Sequence, residues 1–496
     1  MAYKMMTAEQ AAELIDNGDV VGFSGFTPAG APKAVSKALA ARAEALHAQG
    51  KEFKIGMYTG ASTGDSTDGA LARAKAISFR APYQSNKDLR ASLNSPDGAK
   101  YFDMHLSELA QDLRYGFLPK PTVAIIEACD LSENGEAVLT SGVGISPTIA
   151  RLADRVIIEL NSRHPKALRG MHDIYEPADP PYRKEIPVYK PSDRAGSPIL
   201  KIDPRKIVAV VETNLKDEVG GFHAPDAITQ RIGENVVAFL TGELRAGRIP
   251  ASFLPIQSGV GNIANAVMAE LGSSKEIPAF EMYTEVVQDA VIGLMKEGRV
   301  KFASGCSLTV TDPVLQEIYD NMAYFHDKIV LRPQEISNNP GLVRRMGLIT
   351  INTALEADIY GNINSTHVTG TKMMNGIGGS CDFTRNAYIS IFTTPATAKG
   401  GAISSIVPMV SHLDQSEHSV KVLITEYGIA DLRGKNPRER AQIIINNCVD
   451  PIYRPLLQDY LKIAGDKGQT PHSLANALGM HRAFLETGDM RNTRWA

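Results

Sequence analysis

Midway along the chain, the stretch Glu281-Met282-Tyr283-Thr284-Glu285-Val286-Val287-Gln288-Asp289 sets a carboxylate where the character of the sequence changes. An apolar, β-prone run begins near Ile277 and continues through Val286 and Val287. Gln288 and Asp289 then open an amphipathic run, Ala290-Val291-Ile292-Gly293-Leu294-Met295. The pattern predicts Glu285 near a strand-to-helix junction, at the C-terminal strand edge where open α/β sheets bind ligands. A carboxylate that close to buried β structure is poorly hydrated, which makes it a better nucleophile. The competing reading is a surface glutamate that favours the positive end of the following helix, and on this stretch alone both stand.

Other chemistries find less support. The four cysteines, Cys129, Cys306, Cys381 and Cys448, are scattered without C-x-x-C spacing, which argues against a zinc site or disulfide framework and fits a reducing cytoplasm. His412, Asp414 and His418 match no common metal-ligand spacing and read as structural. A net charge of −3 without a Lys/Arg cluster leaves no nucleic-acid footprint. The start, Met1-Ala2-Tyr3-Lys4-Met5-Met6, has no leader-like apolar core, and no apolar run approaches the length of a membrane span, so neither export nor a membrane is expected.

The elements that must position Glu285 follow from periodicity. Thr7 to Asn17 reads as a helix capped by Thr7, and Asp19 to Gly30 as a strand entering a Gly-rich turn before a helix from Pro32 to Leu46. Further strands are expected at Phe53–Thr59, Val123–Ala128, Arg155–Leu160 and Ile207–Val211. Seven prolines between residues 173 and 205 predict irregular structure, and Asn214 to Gly221 a hinge. At 496 residues, with 43% hydrophobic and 22% charged, the chain suits two soluble domains, placed at 1–213 and 222–496.

The second half echoes the first. Phe253-Leu254-Pro255-Ile256-Gln257 leads into Ser258-Gly259-Val260-Gly261-Asn262 and a helix, as Val20 to Phe23 leads into its own glycine turn. Met282-Tyr283-Thr284-Glu285 stands where the first half has Met57-Tyr58-Thr59-Gly60, and Val420 to Glu426 echoes Arg155 to Leu160. Fold class is therefore α/β: two similar open domains from an internal duplication, with mostly parallel, helix-covered sheets packed face to face. The second copy also carries Asn375-Gly376-Ile377-Gly378-Gly379-Ser380, a backbone suited to close approach by a phosphorylated ligand or an oxyanion.

Taken together, Gln257 to Asn262, Tyr283-Thr284-Glu285-Val286, Ser337-Asn338-Asn339-Pro340, Ala357 to Asn362, Met374 to Ser380 and Ile424-Thr425-Glu426 resemble the acetyl-CoA hydrolase/transferase branch of the class I CoA-transferases. The resemblance runs over nearly the whole chain and implies roles. Glu285 matches the nucleophile that forms an acyl-glutamyl anhydride and then a glutamyl-CoA thioester. Asn338 and the Gly379 N–H match its oxyanion donors, and Glu426 a second active-site carboxylate. Gly259, Val260, Gly261, Asn262 and Gly378 match the CoA-binding loops.

It further implies coenzyme A as substrate with no metal or redox cofactor, acyl-CoA and small carboxylates as partners, and a homodimer. Succinyl-CoA plus acetate is the expected substrate pair, with propionyl-CoA:succinate transfer or acyl-CoA hydrolysis as alternatives. Tyr427 and Cys381 depart from the family pattern, where Gln and Gly are expected, and bear on the acyl pocket. A nicotinamide-dependent dehydrogenase would need a glycine fingerprint paired with a ribose-binding acid, which neither glycine turn supplies cleanly. A non-catalytic acyl-CoA-binding protein would have no use for Glu285 and Glu426 together.

Overall fold

A computed structural model describes residues 3–221 and 224–496. It is a mixed α/β protein whose contacts form two compact units. The first runs to Gly221 and also takes Glu281–Met346 and Asn375–Asp382; the second takes the stretch from there to Phe280, Gly347–Met374 and Phe383–Ala496. This grouping differs from the linear division at 1–213 and 222–496. The stretches carrying Glu285, Asn338 and Gly379 all fold into the unit built mainly from the first half. Among the described residues, no helix is long and apolar enough to cross a membrane.

The first unit is organised by parallel strands in the order Ile77–Ala81, Ile55–Tyr58, Val20–Phe23, Val123–Leu131, Arg155–Asn161, Ile207–Thr213. Strand order reverses between Val20–Phe23 and Val123–Leu131, the switch point at which the following loops diverge and leave a crevice. Val21, Phe23, Val123, Ile125 and Ile157 are fully or nearly fully buried, packing against Val35, Leu39 and Ala43 of the helix Ala34–Ala48. That helix has no side-chain cap from its own N-cap residue. Glu159 supplies one from the neighbouring strand, its carboxylate accepting the N–H groups of Lys33, Ala34 and Val35 at 2.9, 3.1 and 2.7 Å. Thr7 caps its helix in a capping box with Gln10, as expected, but the helix closes at Ala12, short of Asn17.

Behind the switch point lies a buried charged cluster. Lys33 Nζ donates to Glu127 at 2.7 Å and stands 3.0 Å from Asp217. Glu127, His164 and Asp217 have ligand-type atoms within 4.8 Å of one another, and Lys33 already supplies their countercharge. Asp217 also accepts the Gly30 N–H and the Ser141 hydroxyl, and Glu218 the N–H and hydroxyl of Ser66. The segment expected as a hinge is thus tied down at Asp217 and Glu218 by two carboxylates.

In the second unit, Ile256–Ser258, Ile349–Thr353, Ile389–Thr393 and Val422–Thr425 run parallel in that order, with Gly428–Asp431 antiparallel at the edge. Its core gathers Ile359, Tyr360, Phe392, Leu423, Ile444 and Tyr453 among others.

Candidate active site

Glu285 does not lie on a continuous strand. The strand Phe280–Tyr283 stops two residues before it, and Val286–Val287 pairs instead with Ser307–Leu308 in a separate parallel ribbon. The helix then begins at Asp289. Glu285 therefore occupies a break between strands, and its carbonyl accepts the N–H groups of Cys306 and Ser307 at 2.6 and 3.3 Å, fixing the backbone. The Tyr283 hydroxyl donates to the Ile336 carbonyl, tying this stretch to the helix Gln334–Ser337.

Asn338 follows that helix, its N–H donating to the Gln334 carbonyl at 2.9 Å. Its side-chain amide is oriented from both ends. Ser337 Oγ donates to Oδ1 at 2.7 Å, and Nδ2 donates to Glu285 Oε1 at 2.7 Å. Glu285 keeps partial exposure, yet burial raises its carboxyl to about 7, with the Asn338 hydrogen bond as the opposing influence. Burial unopposed by a cation leaves a carboxylate poorly stabilised and reactive.

Gly379 completes this group. A Cβ built there would fall 1.4 Å from Glu285 Oε1 and 2.3 Å from Asn338 Nδ2, so only a residue without a side chain lets the backbone come this close. Its loop is held at several points. Tyr101 Oη donates to the Asn375 carbonyl at 2.7 Å, and Asp103 accepts the Ile377 N–H at 2.8 Å. Asp382 accepts the Ser107 N–H and hydroxyl at 3.1 and 2.6 Å. Gly378 stands in the same loop against the Tyr83 ring. Burial raises Tyr83 to about 12 and Asp382 to about 7, and the charge of Glu285 adds to both shifts.

The remaining expected residues fall in the second unit. Glu426 directly follows Val422–Thr425, accepts the Ala396 N–H at 2.9 Å, and is raised in pKa chiefly by burial. Gly259, Val260 and Gly261 form the turn before the helix Asn262–Ser273, whose N-terminus has no side-chain cap. Val260 is exposed, and the Gly259 N–H donates to the Ile351 carbonyl at 3.0 Å. Tyr427 donates its hydroxyl to Asp450 at 2.8 Å. Cys381 lies in the helix Ser380–Thr384, directly before Asp382.

Sequence reasoning missed Tyr83, Asp103, Ser107 and Asp382. Asp382 had a visible signal, being the acidic residue nearest Gly379 in the chain. The other three sit in a stretch without motifs and reach the site only through the fold.

Gly60, the counterpart of Glu285 in the first copy, has no room for a side chain. A Cβ there would meet the Gly25 carbonyl oxygen at 2.3 Å and Gly144 Cα at 3.0 Å. Only one copy of the duplicated unit can therefore present a carboxylate at this position.

With this geometry in hand, the chain can be set beside known proteins. Two family models match it: the acetyl-CoA hydrolase/transferase N-terminal domain over residues 2–212 and the C-terminal domain of the same family over residues 315–461. The chain belongs to the acetyl-CoA hydrolase/transferase family.

It is 51% identical over 485 residues to the propanoyl-CoA:succinate CoA transferase of Escherichia coli, covering 98% of both chains. It is 49% identical over 491 residues to the succinyl-CoA:acetate CoA-transferase of Clostridium kluyveri, covering 98% of this chain and 90% of that one. Among solved structures, RipA from Yersinia pestis shares the fold with a TM-score of 0.71 at 22% identity, over 92% of this chain and 96% of its own.

Proposed function

We propose that the protein is a CoA-transferase that moves CoA between succinyl-CoA and acetate through a glutamyl-CoA thioester on Glu285. The observation that carries this reading is the partly buried Glu285 carboxylate, bonded to Asn338 and closely approached by the Gly379 backbone. Glu285 attacks the thioester carbonyl, the C–S bond breaks, and CoA leaves as thiolate with an acyl-glutamyl anhydride behind it. The thiolate then attacks the glutamyl carbonyl, releasing succinate and forming the enzyme thioester. Acetate reverses both steps and leaves as acetyl-CoA.

Oε1 of Glu285 is the oxygen that gains charge when the glutamyl carbonyl is attacked, and Asn338 Nδ2 already donates to it. Gly379 N–H is the second donor in this reading. By the family resemblance, Glu426 is taken as the auxiliary carboxylate and Gly259, Val260, Gly261, Asn262 and Gly378 as CoA-binding residues. Activation passes between an anhydride and a thioester of comparable reactivity, so the proposed cycle uses no metal or redox cofactor. We take the working enzyme to be a cytoplasmic homodimer.

The test is a CoA-exchange assay with succinyl-CoA against short carboxylates, in which acetate should outpace hydrolysis. Fast hydrolysis with acetate and propionate both poor acceptors would make the protein a hydrolase. The 51% identity to the E. coli enzyme favours propanoyl-CoA:succinate transfer as the second reading. One methylene changes binding in a small pocket by only about 1–3 kcal/mol, so the same panel separates the two.

A further inference from the structure

Both groups assigned to the oxyanion are referred to the same turn of backbone. Gln334 Nε2 donates to the Leu106 carbonyl at 2.9 Å, and Gln334 in turn accepts the Asn338 N–H through its own carbonyl at 2.9 Å. The next residue, Ser107, donates its N–H and hydroxyl to Asp382, three positions beyond Gly379 in the short helix Ser380–Thr384. Leu106 and Ser107 begin the helix Leu106–Tyr115, with His105 at its N-cap. Gln334 and Ser337 are fully buried and Asp382 is 4% exposed, so water does not compete for these bonds.

Resting on the nucleophile reading above, we propose that this first helical turn sets the spacing between Asn338 and Gly379, with Ser107 and Asp382 as positioning residues. The positive end of the helix offsets the cost of holding Asp382 inside the protein beside a second carboxylate. An apolar pair at these positions would pack as well, but it would not fix a distance. A bidentate hydrogen-bonded contact does.

The test measures the rate at which saturating acyl-CoA, without acceptor, loads CoA onto the full-length protein, together with the half-saturating acyl-CoA concentration. Ser107→Ala should load about tenfold more slowly at unchanged half-saturation, a misplacement of donors rather than a loss of binding. Ser107→Thr, which keeps the hydroxyl, should restore most of the rate, and Asp382→Asn should be slowed at least as much as Ser107→Ala. Wild-type loading rates in Ser107→Ala, or a change confined to half-saturation, would overturn the positioning role. Should Asp382→Asn fail to fold, the comparison of Ala and Thr at Ser107 decides alone. Absence of loading in the unsubstituted protein would instead sink the nucleophile reading, and this inference with it.

Discussion

In the proposed mechanism Glu285 attacks as the ionised carboxylate, and burial sets its carboxyl at about 7. Its active form therefore dominates above that value and is lost as pH falls through it. The acid limb of kcat/KM should bend near neutrality rather than in the usual carboxylate range, and a profile flat down to about pH 5 would contradict the assignment. Asn338→Ala should lower kcat by about two to three orders of magnitude, the usual effect of one oxyanion donor, with little change in CoA affinity. Gly379→Ala should be at least as damaging while the protein stays folded, because the added methyl occupies the position of Glu285 Oε1. Steady-state kinetics beside a melting curve separates that outcome from unfolding. That Glu285, Asn338 and Gly379 come together was legible only through the family resemblance that their three short motifs carry, and the structure sets the three side by side. Ser107 and Asp103 were not legible, because a serine and an aspartate have many uses and only tertiary contact gives these two theirs.

At the scale of elements, polar groups placed inside the protein decide how strands and helices meet. Glu159 caps the helix Ala34–Ala48 through three N–H groups, so Glu159→Ala should cost about 1–3 kcal/mol in urea unfolding. Lys33→Met leaves Glu127 and Asp217 buried without their cation and should cost more, on the order of 3–5 kcal/mol. If Lys33→Met melted like the unsubstituted protein, the cluster would not have the structural role described. The parallel strands were readable from their apolar runs, and the irregular stretch between residues 173 and 205 from its prolines. The interruption at Glu285 was not. Val286 and Val287 continue the β pattern in sequence, and only the competing ribbon with Ser307–Leu308 ends the strand at Tyr283. The bonds of Asp217 and Glu218 were equally invisible, since their partners lie far away in the chain.

For the molecule as a whole, the duplication could be seen in repeated strand and turn patterns, but the way the chain is shared between units could not. Long-range pairing gathers Glu281–Met346 and Asn375–Asp382 with the first half, and no local pattern records it. The partly buried carboxyl of Glu285 should also leave a mark on global stability. Its folded pKa lies above that of an unfolded glutamate, so its contribution is full below the unfolded value and is lost as pH rises through about 7. Glu285→Gln should therefore raise Tm at about pH 8, by no more than roughly 2–3 kcal/mol of stability, and change little at about pH 4. The central claim is tested most directly by intact-protein and peptide mass spectrometry after incubation with acyl-CoA and no acceptor. CoA should be found joined through a thioester to the peptide containing Glu285, and Glu285→Ala should show neither adduct nor transfer. An adduct on Cys381 or Glu426, or wild-type transfer by Glu285→Ala, would contradict it.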